Sequence, residues 1–209
     1  MGKISFKSGN MLYPLPAVLV TTKDREGRDN ILTVAWTGTV CTNPPMLYIS
    51  VRPERYSFRA LRETGEFVVN LTTESMAFGT DFCGVRSGRD LDKFDLTGFH
   101  REKAFRVAPP LIEESPVNIE CKVAQEIPLG SHHMFIAHVV HVTVDERYMD
   151  EKGTFCLEKA GPIVYSHGSY FSLDRCLGSF GYSVRKRKAA GNKKKKERRN
   201  QGKKPDRNS

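Results

Sequence analysis

The apolar segments of this chain are short and closely spaced, and that spacing constrains the fold more than any other feature. Ala17-Val18-Leu19-Val20-Thr21-Thr22 is a β-rich run that ends in the polar turn Lys23-Asp24-Arg25-Glu26-Gly27. The chain resumes over residues 30–37, breaks at Asn43-Pro44-Pro45, and resumes over residues 46–51. Neither proline of that break can donate to a strand ladder. Connections of a few residues cannot carry the crossover that parallel neighbours need, so these strands read as antiparallel.

The same pattern continues. Residues 56–65 read as a short helix with Ser57 as N-cap and Gly65 just past its end, and Phe58, Ala60 and Leu61 form its apolar side. Residues 66–71 read as a strand, and 73–79 open another short helix. Residues 84–110 are irregular and polar, with Gly84, Gly88, Gly98 and Pro109-Pro110. Residues 117–125, 134–144 and 162–165 are further strands. Six or so antiparallel strands with small helices between them predict an all-β barrel.

Charge divides the chain in two. Residues 184–209 hold thirteen Lys and Arg against Glu197 and Asp206, a net +11 in a chain whose formal net is +9. The body, 1–183, is therefore close to neutral at −2. With almost no apolar residues, 184–209 cannot offset the entropy of ordering and read as a disordered basic tail. No apolar run approaches the ~20 residues of a membrane span. The N-terminus lacks the apolar stretch of a secretory signal. Five cysteines, an odd number with no Cys-x-x-Cys spacing, argue against a disulfide framework or zinc site. Together these predict a cytoplasmic protein with free thiols.

Three stretches carry candidate chemistry. "VAWTGTVCTNPP", residues 34–45, sets the only tryptophan, Trp36, among Thr33, Ala35, Thr37, Gly38, Thr39 and Thr42. Small residues on a strand let another object approach the backbone, and hydroxyls supply hydrogen bonds. An aromatic face beside such a shelf suits a planar, polar-edged ligand. "RPERYSF", 52–58, places Arg52, Arg55 and Ser57 at a helix start, where free N–H groups and the dipole favour an anion. "CGVRSGRDLDKF", 83–94, adds two glycines, two arginines and Lys93 in an irregular loop. His132-His133 and the pair His138 and His141 face opposite sides of a strand, so no metal site is expected; one histidine at a strand mouth against a polar ligand is the better reading. No nucleophile elbow, P-loop, dinucleotide fingerprint or His-Glu-x-x-His is present.

In order, "NILTVAWTGTVCTNPPMLYISVRPERYSFRALRETGEFVVNL", "CGVRSGRDLDKF", "GSHHMFIAHVVHV" and "GPIVYSHGSYFSL" resemble the flavin reductase-like family, in particular its flavoredoxin-like branch. The likeness runs from about residue 11 to residue 183. It implies a six-stranded antiparallel Greek-key FMN-binding split barrel over 1–183, and a homodimer with flavin near the interface. Carried over by motif, Asn30 and Trp36 would line the ring, with Thr37, Cys41 and Thr42 continuing that wall. Ser57, behind Arg52, would hold the phosphate, Asn70 would flank the ring or ribityl chain, and Lys93 would reach the phosphate or ring. His132 would approach the flavin at the interface. The chain departs from the pattern at His133 and His138.

The implied activity is NAD(P)H-dependent flavin reduction, with hydride passing from nicotinamide, NADH or NADPH, to flavin N5, and with no side-chain nucleophile. Trp36, Lys93 and His132 would be the groups nearest that chemistry. The alternative is an FMN-binding electron carrier reduced by a redox protein partner. The tail would bind nucleic acid without sequence preference, or serve solubility.

Overall fold

The structure, a computed structural model, describes residues 2–185. The chain enters through β1 (Leu15–Pro16) and β2 (Val18–Lys23) and turns at Gly27, whose φ of 84° few side chains tolerate. Then come β3 (Asp29–Val34), β4 (Thr37–Cys41), β5 (Met46–Val51), α1 (Ser57–Thr64) and β6 (Glu66–Leu71). A 3-10 turn leads into α2 (Ala77–Val85), followed by α3 (Lys93–Thr97), β7 (Arg101–Glu102) and β8 (Leu111–Ile112). The long strands β9 (Val117–Leu129) and β10 (His132–Val144) form a hairpin, and β11 (Ile163–Ser166) and β12 (Ser169–Ser172) close the strand list.

Seven strands make one antiparallel sheet in the order β3-β2-β6-β9-β10-β5-β4. Alternate residues of these strands face one cluster: Val18 and Val20, Leu32 and Val34, Leu47, Ile49 and Val51, Phe67 and Val69, Phe135 and Ala137. β3 and β5 lie far apart in the strand order yet share this core. The sheet is therefore rolled on itself, and Phe58 and Leu61 of α1 pack into the same core. A second cluster covers the outer side of β2 and β3, where Leu19 and Ile31 meet Met76, Cys83, Phe94, Phe99 and Ile112. Burying each such large side chain contributes roughly 1.5–3 kcal/mol. Glu120 of β9 is fully buried, and its carboxylate accepts from the backbone N–H groups of Phe105, Arg106 and Val107 at 3.0, 2.6 and 3.1 Å. The smaller sheets are β1-β11-β12 and β7-β8.

This is the all-β barrel class that the strand spacing predicts, with differences in detail. The run read as one strand over 30–37 is two. β3 ends at Val34 and pairs with β2, whereas β4 begins at Thr37 and pairs with β5. Between them the Thr37 N–H donates to Ala35 O (3.0 Å) and the Ser50 N–H to Trp36 O (2.8 Å), which turns the chain from one flank of the sheet to the other. Ser57 is the first residue of α1 rather than its cap; Tyr56 stands at the cap position and no side chain caps the helix. The loop read over 84–110 contains α3, capped by Asp92, whose Oδ1 accepts from the N–H of Phe94 (2.9 Å) and of Asp95 (3.4 Å). β9 runs on to Leu129, β10 starts at His132, and β12 had no counterpart in the sequence reading.

The chain divides into two units, Met1–Leu173 and Asp174–Ser209. The described part of the second carries a 3-10 turn, Tyr182–Val184. The basic run from residue 186 lies outside the described residues, and with it the expected disorder of the tail. Among the described residues no helix is long and apolar enough to cross a membrane.

Candidate functional site

The corner between β3 and β4 opens a cleft of about 400 Å³. Residues 32–36 form one wall, 50–52 and Arg55 the floor, and Ser131 and His132 of the β9–β10 tip the other wall, with Asn10 at the rim. Each wall follows from local structure. On β5, Ile49 and Val51 turn into the core, so Ser50 between them turns outward. On the β3–β4 corner, Ala35 leaves room and Trp36, with 37% of its surface exposed, stands at the edge. Its ring lies parallel to that of His132, with 8° between planes and 6.2 Å between centroids. Gly130, at φ 67°, turns the hairpin that presents His132. Burial lowers the His132 pKa, and Arg52 and Arg55 push it the same way against Glu54. The imidazole is therefore neutral at pH 7, with Nδ1 2.9 Å from Ser131 Oγ.

A smaller cavity of about 90 Å³ adjoins the cleft through Leu32 and Arg55. Asn30, Glu54, Tyr56, Val85, Arg86, Ser87, Gly88 and Lys93 line it, so one carboxylate stands among its cations. Lys93 is buried, and its Nζ donates to Ile31 O (2.7 Å) and Cys83 O (2.8 Å), leaving one of three N–H groups for the cavity. Burial lowers its pKa to about 8, with Arg55 adding to the shift and Cys83 opposing it. Arg55 Nη1 donates to Gly84 O at 2.9 Å. The backbone at Gly88 lies so close to Asn30 that a Cβ there would sit 1.9 Å from Asn30 Oδ1. Asn30 Nδ2 in turn donates to Ser57 Oγ at 2.7 Å.

The structure brings Trp36, Arg52 and His132 together in the cleft, and Asn30 and Lys93 in the adjoining cavity. Five other expected positions are elsewhere. Ser57 is buried behind Asn30, where its Oγ also accepts from Thr22 Oγ1 (3.1 Å), so it holds the cavity wall rather than facing it. Thr37 is buried and donates to Tyr48 O (2.6 Å), while Cys41 and Thr42 lie at the far end of β4; none of the three lines the cleft. Asn70 is fully buried, and its amide serves the core. Its Nδ2 donates to Leu19 O (3.0 Å), and its Oδ1 accepts from Ile112 N (3.1 Å) and Asn118 Nδ2 (2.8 Å). Ser50, Ser131 and Asn10 are lining residues that the sequence reading missed; strand alternation beside Ile49 and Val51 could have flagged Ser50.

A flat aromatic edge, hydroxyl and backbone groups along one wall, and a cation-bearing cavity at one end fit a planar ring carrying a phosphate tail. A rolled antiparallel sheet with such a slot at its corner is a split barrel built to take a ligand of that shape. The model of the flavin reductase-like domain matches residues 10–174, and the chain belongs to that family. Its fold is similar to flavoredoxin of Desulfovibrio vulgaris (Miyazaki F), with a TM-score of 0.82, 29% identity, and coverage of 88% of this chain and 100% of that one. Flavoredoxin from Methanosarcina acetivorans gives a TM-score of 0.80 at 27% identity over the same shares. In sequence the chain is 28% identical to an uncharacterized protein of Archaeoglobus fulgidus over 141 residues, 68% of this chain and 78% of the other. The likeness places it on the flavoredoxin branch.

Proposed function

We propose that the protein binds FMN in this slot and works as an NAD(P)H-dependent flavin oxidoreductase. The observation that carries the reading is the continuity of the slot, from the Trp36–His132 edge to the cavity of Lys93, Arg55 and Asn30. The cavity takes the phosphate: the Lys93 ammonium and Arg55 guanidinium supply charge, and Asn30 sets the wall against Gly88. Arg52 stands on the cleft floor. Trp36 and the neutral His132 bound the edge where a second ring approaches. When bound, FMN supplies the capacity to take a hydride from a nicotinamide and to hand electrons on. The chain's own part is to orient the two rings, exclude water from the contact, and set the charge around them. In solution the unit is a homodimer with the cofactor near the interface.

The absorption spectrum of the purified full-length protein, followed by anaerobic addition of NADH and then NADPH, tests this. Yellow protein that bleaches with either nucleotide is the expected result. Protein that retains no flavin after incubation with FMN overturns the cofactor assignment. The parallel Trp36 and His132 rings narrow the cleft mouth and favour a second reading, an FMN-binding carrier that takes electrons from a redox protein. Yellow protein that bleaches with reduced ferredoxin but with neither nucleotide would select it.

A further inference from the structure

The β9–β10 hairpin reaches the cleft by its tip, and that tip is fastened to α1 by contacts on the side away from the cleft. Neighbouring residues of a strand face opposite ways, so with His132 in the cleft, His133 points to the other side. There His133 Nδ1 lies 2.5 Å from Glu126 Oε1, and Arg62 Nε donates to Glu126 Oε2 at 3.1 Å. The His133 ring stands edge-on to Phe58, with centroids 4.9 Å apart and planes at 89°. Phe135, the next residue of β10 on that face, meets Phe58 at 5.7 Å. Phe58 and Arg62 are one turn apart on α1 and share a side.

The register ties these contacts to the cleft. Glu126 is opposite Phe135, and His133 is opposite Val51, the residue before Arg52. One cluster of five side chains therefore joins the tip that carries Ser131 and His132, the end of β5 that leads into Arg52, and the helix that follows Arg55. Burial alone would raise the Glu126 carboxyl, but the His133 and Arg62 contacts outweigh it and hold the group below its ordinary range, so it is a carboxylate at neutral pH. Either a neutral ring with its proton on Nδ1 or an imidazolium can donate to this carboxylate.

We propose that Glu126 and His133 are positioning residues of the cleft, which brace the hairpin tip on α1 so that His132 stays parallel to Trp36. The consequence for cofactor binding rests on the flavin reading above; the brace itself does not.

Trp36 is the only tryptophan, so the emission of the cofactor-free full chain, excited at the red edge where tyrosine does not absorb, reports on that ring alone. An imidazolium accepts an electron from excited indole, whereas a neutral imidazole does not. The charged groups facing His132 are Arg52, Glu54 and Arg55, and those facing the brace are Glu126 and Arg62. Wild-type emission is expected to fall as the pH drops below the ordinary histidine value, and His132→Ala is expected to lose that fall. Glu126→Ala and His133→Ala are expected to lose at least half of its amplitude, while His133→Gln, whose amide can still donate to Glu126, recovers it. Arg62→Met, on an exposed helix face, gives a partial loss and serves if the alanine variants do not fold. An acid quench that is independent of His132, or is unchanged in every brace variant that folds, overturns the proposal. An FMN titration of the same proteins is expected to show at least about fivefold weaker binding without the brace. Loss of FMN binding in wild type with the quench pattern intact would sink the flavin assignment and leave the brace standing.

Discussion

Lys93 is a cation taken out of water by the fold, and its charge is the property the small cavity depends on. Its depressed pKa, about 8, means that it is protonated below that value and neutral above it. A bound phosphate would draw the midpoint upward. FMN affinity is therefore expected to weaken between pH 7 and pH 9, and fluorescence titrations at the two values measure it. Lys93→Met should bind more weakly at both and lose the difference. Asn70 belongs to the core, and Asn70→Ala strands the Ile112 N–H and part of Asn118. The expected cost is about 1–3 kcal/mol in urea unfolding, with FMN affinity unchanged. A change in affinity without a loss of stability would return Asn70 to the cleft. The two asparagines show why residue roles were only partly legible. Asn30 and Asn70 are the same residue type, each in a β-strand, and only tertiary packing decides that one amide meets Gly88 at a cavity and the other meets Leu19 and Ile112 in the core. Trp36, Arg52 and His132 were legible because their small, basic or turn neighbours already suggest a surface. The burial of Lys93 was not, since lysine is seldom buried.

At the scale of elements, strand periodicity carried most of the fold, and it failed where the chain turns without breaking pattern. Residues 30–37 are a β-rich run with no Gly or Pro to interrupt it, so the corner at Ala35-Trp36 that opens the cleft leaves no turn signal in the sequence. The segment after α2 is similar. Its glycines read as loop, but Gly88 is where backbone and the Asn30 side chain come into direct contact. Gly88→Ala is expected to displace Asn30 Oδ1 and with it the Asn30–Ser57 hydrogen bond, and to weaken FMN binding by about tenfold or more, with a melting temperature lower by a few degrees. Calorimetry and flavin titration on one sample separate the two effects. Unchanged FMN affinity would mean that the 86–88 segment plays no part in the anion cavity. Gly79 is a helix-packing counterpart. A Cβ there would meet the Phe99 ring at 2.4 Å, so Gly79→Ala is expected to cost about 1–3 kcal/mol with FMN affinity unchanged.

At the scale of the whole molecule, the near-neutral body and the basic tail are separable in sequence. Deleting residues 184–209 is expected to leave flavin binding and cooperative unfolding unchanged and to abolish salt-dependent retention on a polyanion. Loss of flavin on truncation would place part of the site beyond residue 183. The strand order has a further consequence for how the molecule comes into being. The cleft is assembled from positions 32–36, 50–55 and 131–132, and the pairing that unites them, β5 on β10, is non-local. Such pairings form late, after the loop-closure entropy of the intervening chain has been overcome. An emerging polypeptide thus lacks a complete site until β10 has been made, and cofactor capture follows barrel closure instead of nucleating it. A ligand of this cleft is accordingly expected to slow unfolding and to leave the refolding rate where it was.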